Sequence, residues 1–218
     1  MKAVCSLAGI AKHKLLNLTT LMILVSISTT GYAIPVLDQS YEPTVGCCFG
    51  IGQASTGGAQ TFTVGISGQL TGFDVTLDGH PLNGYDGDVT FQIMDSSFST
   101  SLFSTTVAKT TIDSTQFLEY FFDVSSAGIS VSTGDVLAIA ITETGLGALS
   151  WRADFIANAT YAGGTSWALD DNTNTWYTVQ RDGAFHTYVE ARAVPAPLTV
   201  GLLSMGLLLM GFTKRFRA

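Results

Sequence analysis

The sequence predicts an all-β protein, an antiparallel β-sandwich of the jelly-roll type, flanked by an N-terminal signal peptide and a single C-terminal hydrophobic helix. Three observations carry this. Between Val36 and Ala193, roughly nine or ten short stretches alternate apolar and polar residues, separated by turn residues at intervals of about ten to fifteen positions. No stretch in that span shows the 3.6-residue apolar period of an amphipathic helix. The composition is rich in Gly, Ser, Thr and aromatic residues, and the span holds one lysine, Lys109. Such a composition suits an exported protein with many turns.

The elements follow in order. Val36–Tyr41 reads as a first strand, followed by a glycine-punctuated loop from Gly46 to Gly58. Thr61–Val64 is a short alternating strand, and Gly65–Gly68 is the turn after it. The next strand takes its apolar side from Leu70, Phe73, Val75 and Leu77, and the break in spacing at Gly72 reads as a bulge. His80–Gly87 is a loop. Asp88–Met94 is the clearest strand, with Val89, Phe91 and Ile93 alternating against Asp88, Thr90 and Gln92. Leu102–Ala108 and Phe117–Val124 repeat the pattern, and Ser125–Gly134 is a turn region. Val136–Thr142 is apolar on both faces, which fits a strand in the middle of a covered sheet. Leu149–Ile156, Trp176–Gln180 and Phe185–Ala191 complete the set, with a tight turn at Tyr161-Ala162-Gly163-Gly164 and a polar loop at Asp170–Thr175.

The two ends have a different character. Lys2, Lys12, His13 and Lys14 precede an apolar run from Leu15 to Ile27, and Gly31-Tyr32-Ala33 supplies small residues at the minus-three and minus-one positions, so cleavage is expected after Ala33. Residues 34–193 form the sandwich domain. Residues 194–218 form a tail: Val194-Pro195-Ala196-Pro197, an apolar block from Leu198 to Phe212, then a cluster of Lys214, Arg215 and Arg217. Fifteen helical residues span about 22 Å, short of a hydrocarbon core of roughly 30 Å. Snorkelling cations and local thinning make up the difference, with the basic end cytoplasmic.

Six of the ten Lys and Arg residues lie in these end segments, and all seventeen Asp and Glu lie between them. The body therefore sets four cations (Lys109, Arg152, Arg181, Arg192) against seventeen anions, a formal net charge of −13. Such a surface excludes nucleic acid as a partner and repels anionic lipid.

The body offers little catalytic chemistry. It has two histidines, His80 and His186, no Gly-x-Ser-x-Gly elbow and no His-Glu-x-x-His helix. We read it as non-enzymatic; the alternative is a carbohydrate-active enzyme using an Asp pair, Asp86 with Asp88 or Asp170 with Asp171. Aromatic rings stack on sugar rings, and Trp151, Tyr161, Trp167, Trp176 and Tyr177 gather in the last third, interleaved with polar residues. Trp167 and Trp176 flank the polar loop and are the first pair to test. The one cofactor the sequence suggests is a structural calcium. Asp170, Asn172 and Asn174 open like a calcium loop, although Thr175 and Arg181 stand where Gly and a bidentate acid belong, and Asp86 with Asp88 is a further candidate. Cys47 and Cys48 are the only body thiols; a vicinal disulfide, a bond to another chain and simple burial all remain open.

The tail, with Pro195, Pro197, the Leu198–Phe212 block and the cluster Lys214, Arg215, Arg217, resembles the PEP-CTERM sorting signal of Gram-negative bacteria. Ala196 stands where that family has Glu. The resemblance implies an exosortase-type membrane transpeptidase as partner, a membrane-held intermediate, and delivery to the cell surface or extracellular matrix. The phrases Gln60-Thr61-Phe62-Thr63-Val64, Leu70-Thr71-Gly72-Phe73, Tyr161-Ala162-Gly163-Gly164 and Phe185-His186-Thr187-Tyr188-Val189 resemble exported β-sandwich modules akin to carbohydrate-binding modules. That likeness implies binding, for example to extracellular polysaccharide, or structural work rather than catalysis.

Overall fold

In the computed structural model the described residues are 34–44, 46–52, 55–80, 85–154 and 159–191; the predicted signal peptide and the sorting tail, Val194 to Ala218, lie outside them. Among the described residues, thirteen strands build two antiparallel sheets. They are β1 (Pro35–Tyr41), β2 (Gly46–Ile51), β3 (Gly57–Thr63), β4 (Gly68–His80), β5 (Asp88–Asp95), β6 (Ser101–Ala108), β7 (Leu118–Asp123), β8 (Ser130–Val131), β9 (Val136–Glu143), β10 (Ala148–Asp154), β11 (Ser166–Leu169), β12 (Trp176–Val179) and β13 (Phe185–Ala191). The first sheet runs β1-β13-β4-β10-β2, with β7 and β8 also paired to the long β4. The second runs β12-β11-β3-β9-β5-β6. Among the described residues, no helix is long and apolar enough to cross a membrane.

The alternating side chains of both sheets meet in one core. Phe62, Phe73, Phe91, Phe185, Leu70, Leu77, Ile93, Ile139, Ile141 and Trp151 are all fully buried. Each such side chain contributes about 1.5–3 kcal/mol relative to exposure. Phe122 joins the sheets by stacking on Phe91 at 4.2 Å and on Phe73 at 5.1 Å between ring centroids. β9 lies inside the second sheet and is buried on both faces from Leu137 to Ile141, as its unbroken apolar run requires. The irregular spacing near Gly72 is real: the β4–β13 register shifts where Tyr188 faces Gly72 and Val189 faces Leu70, which leaves Thr71 as the extra residue.

Three strands depart from the sequence reading. The shortest is β8, two residues inside the span Ser125–Gly134, read as a turn region and held as a strand by pairing with β4. The span Gly46–Gly58, read as a loop, begins with β2, whose short Gly-Cys-Cys-Phe-Gly-Ile run is held as a strand by pairing with β10 from Gly46 to Ile51. Ser166–Leu169, read only as sequence after a turn, is β11, which bridges β3 and β12. The turn before β11 passes so close to β3 that a Cβ on Gly164 would lie 1.8 Å from the Thr61 carbonyl oxygen. Thr61 locks this approach, accepting a bond from the Thr165 amide at 2.7 Å through its hydroxyl and donating its own amide to the Thr165 carbonyl at 2.9 Å.

Polar groups inside the sandwich are matched in two places. Gln60 accepts from the Ser166 hydroxyl at 2.5 Å and the Gly183 amide at 3.1 Å, and donates to Asp182 at 3.3 Å. Burial pushes the Asp182 carboxyl up. Nearby, the Tyr41 hydroxyl donates to Asp154. Elsewhere Lys109, fully buried, forms an ion pair with the buried Glu143 and donates to the Leu146 carbonyl at 3.1 Å.

Candidate functional site

The predicted aromatic set is divided by the fold among four environments. Strand alternation explains the division, because successive side chains on β11 and β12 point to opposite faces of the second sheet. Trp167, Leu169, Trp176 and Thr178 share the outward face, and Ala168 and Tyr177 share the other. Trp151 belongs to the core, where its indole donates to the Ala184 carbonyl at 2.8 Å. Tyr161 is half-buried between Tyr41 and Phe185, with its hydroxyl on Gln39.

On the outward face, Trp167 and Trp176 meet a third ring that sequence reasoning passed over. Phe98, at the β5–β6 turn, stacks on Trp176 at 4.7 Å and sets its edge against Trp167 at 5.2 Å. The outward-facing Ala59, Ala138 and Ala140 on the same side of the sheet are fully buried, which leaves room for large rings above them. Phe98 reaches its place in a left-handed conformation, φ 57°, which costs a non-glycine residue about 1–2 kcal/mol. Asp95 holds the turn. Its carboxylate accepts from the Ser99 amide at 2.8 Å, the Ser99 hydroxyl at 2.7 Å and the Ser97 hydroxyl at 3.0 Å, and these bonds keep it far below the usual carboxylate range. The signal in the sequence was a lone aromatic in the otherwise polar run Ser96–Ser101. The indole nitrogen of Trp167 is buried with no partner among the described residues.

The polar loop borders the same patch. Asp170 accepts from the amides of Asn172 and Thr173, at 2.9 and 2.8 Å, and from the Thr173 hydroxyl at 3.0 Å, which holds its carboxyl low. One carboxylate oxygen, Oδ1, takes all three bonds. Asn172 is exposed, and Asn174 occupies a left-handed position, φ 52°. Asp86 is engaged likewise, accepting from the Leu146 amide at 2.6 Å, and Asp88 is exposed at the start of β5. Cys47 and Cys48 are joined as a vicinal disulfide on β2, the edge strand of the first sheet.

Tyr177 lies apart from the tryptophans, in a cleft of about 270 Å³ lined also by Phe49, Gly50, Ser55, Ala168, Val179 and Arg181. The cleft lies between β2 and β12, edge strands of the two sheets.

The outer face of the first sheet holds a cluster that spacing did not reveal, because its members come from three strands. His186 Nδ1 on β13 lies 2.7 Å from Asp74 Oδ1 on β4 and 3.6 Å from Glu119 Oε1 on β7. The Tyr188 hydroxyl donates to the other Asp74 oxygen at 2.9 Å. Asp74 is buried at 1 % exposure whereas Glu119 is open to solvent. The Glu119 carboxyl is pushed up, first by its hydrogen bond to Asp74 and then by repulsion from it. Two carboxylates beside an imidazole are an arrangement capable of proton transfer, and one nitrogen with two oxygens is a donor set a divalent cation accepts. Beside it, Phe121 is 60 % exposed and lies across Gly72, where a Cβ would come within 2.6 Å of the ring.

Neither a protein-family model nor a curated protein matches this chain.

Proposed function

We propose that the chain is an exported, non-enzymatic β-sandwich protein of the cell surface or extracellular polysaccharide matrix, sorted through its PEP-CTERM-like tail and binding glycan through the Phe98–Trp167–Trp176 patch. The observation that carries the glycan reading is that patch: two of the five aromatic residues singled out by sequence share one sheet face with a strained third ring beside a polar loop. Backbone strain held in place by surrounding bonds concentrates at functional sites. Stacking against ring faces, with loop hydroxyls and amides to meet sugar hydroxyls, is the chemistry such a surface offers.

A glycan array probed with the full chain in mild detergent tests this. Retention of at least one glycan is expected, with a loss of about tenfold or more for Trp167→Ala and Trp176→Ala, as for truncated aromatic anchors elsewhere. Equal retention by both variants overturns the patch. Turnover of an arrayed glycan that disappears when Asp86 with Asp88, or Asp170 with Asp171, is changed to Asn would instead favour the carbohydrate-active enzyme using an Asp pair.

A further inference from the structure

Arg181 is a cation without a counter-charge. Its guanidinium lies over the Phe49 ring at 5.2 Å and donates through Nη1 to the Cys48 carbonyl at 2.8 Å, while Nε is buried with no partner among the described residues. All seventeen Asp and Glu side chains of the sequence fall within the described residues, and none of them pairs with Arg181. Lys109, by contrast, is neutralised by Glu143, and Arg152 stands exposed on β10, where water solvates it. Half-burying a guanidinium beside an aromatic ring with no anion near it is unfavourable unless something else supplies the anion. A body carrying seventeen acids has left the one cation that faces its lateral cleft unmatched.

We propose that this cleft binds the carboxylate of a uronic acid residue within an otherwise neutral polysaccharide. Arg181 has five N–H donors and gives one to Cys48, so a fork remains for a planar carboxylate. Tyr177, exposed at the rim, offers a ring face for the pyranose, and Ser55 offers a hydroxyl. A sparse carboxylate fits better than a dense polyanion. The body's net charge of −13 repels a polyanion along its whole length, whereas a single anion within a few ångströms of Arg181 is attracted locally and the remote acids are screened beyond about 8 Å at physiological salt. The anion site stands on the cleft alone; the choice of a sugar to carry the carboxylate rests on the glycan reading above.

The test is titration of the full chain, in mild detergent, with methyl glucuronoside, methyl glucoside and acetate, followed by NMR. Glucuronoside is expected to bind at least tenfold more tightly than glucoside, and Arg181→Gln to abolish the difference. Arg181→Lys, which keeps the charge and guards against a folding defect, should weaken glucuronoside several-fold, because an ammonium lacks the fork. Tyr177→Ala should weaken glucuronoside and leave acetate unchanged, and Trp167→Ala should leave both unchanged. Equal binding of glucuronoside by wild type and a folded Arg181→Gln overturns the proposal. Acetate binding without any gain for glucuronoside overturns the uronic acid assignment while the anion site stands. Array binding retained in full by the tryptophan variants would sink the patch and spare the cleft.

Discussion

Lys109 shows how much one side chain can carry in this protein. Its ammonium and the Glu143 carboxylate neutralise each other where water does not reach, so each depends on the other. Removing one partner of such a pair leaves an uncompensated buried charge and costs about 3–5 kcal/mol. Lys109→Met is therefore expected to destabilise the fold by that amount at pH 7 in chemical denaturation. The pH dependence has a definite sign. Burial already pushes the Glu143 carboxyl above its ordinary 4.5, with Lys109 opposing, and losing Lys109 pushes it further. A carboxyl raised in the folded state favours folding below its unfolded value, and that advantage is lost as pH rises through the folded value. The deficit of Lys109→Met should thus shrink as pH falls toward 4.5. A deficit equal at pH 4.5 and 7 would mean that packing of the lysine stem, rather than charge, is what matters.

Among the elements, the β5–β6 hairpin is the one whose backbone and function are in tension. Asp95 ties its turn, and the turn sets Phe98 left-handed so that its ring reaches Trp176. The two contributions separate by substitution. Phe98→Ala loses the stack and keeps the strain; Phe98→Gly loses both. The glycine variant should be the more stable of the two by about 1 kcal/mol, the reverse of the usual order in regular structure. Glycine less stable than alanine in denaturant titrations would show that the turn relaxes once the ring is gone. The hairpin also marks the boundary of what sequence can say. Alternation made β5, β6 and β13 legible because each turns only one face toward the core, and the doubly apolar run made β9 legible as a central strand. β2 and β11 were opaque because six and four residues hold too few periods, and their identity as strands comes from partners distant in the chain. The candidate site was legible as residue types, since Trp167 and Trp176 do share a face. It was illegible as a partition: nothing local told Trp151 to enter the core, Tyr177 to turn into the cleft, or Asp74, Glu119 and His186 to converge.

At the scale of the whole molecule, the proposed sorting makes a claim about mass. Export and tail removal should leave a protein that begins at Ile34 and ends near Pro195 to Pro197, and intact mass spectrometry of cell-surface material reads both ends at once. Material still carrying Lys214, Arg215 and Arg217 would contradict processing of the tail. The six cations of the end segments would leave with them, so the mature form should migrate as a far more acidic species than the precursor. The pairing of β1 with β13 gives this arrangement a mechanical side. Pro35 faces Glu190 in antiparallel register, so the first and last strands of the sandwich end next to each other on the same rim. A load applied between those two points peels β1 away from β13 one bonded pair at a time, at low force, and leaves the remaining strands standing. A load applied at the Ala191 end alone, with the opposite end free, sets no such peeling in motion. A body fastened by one rim can then trail in flowing matrix like a leaf on its stalk, and would give way only when pulled by both ends.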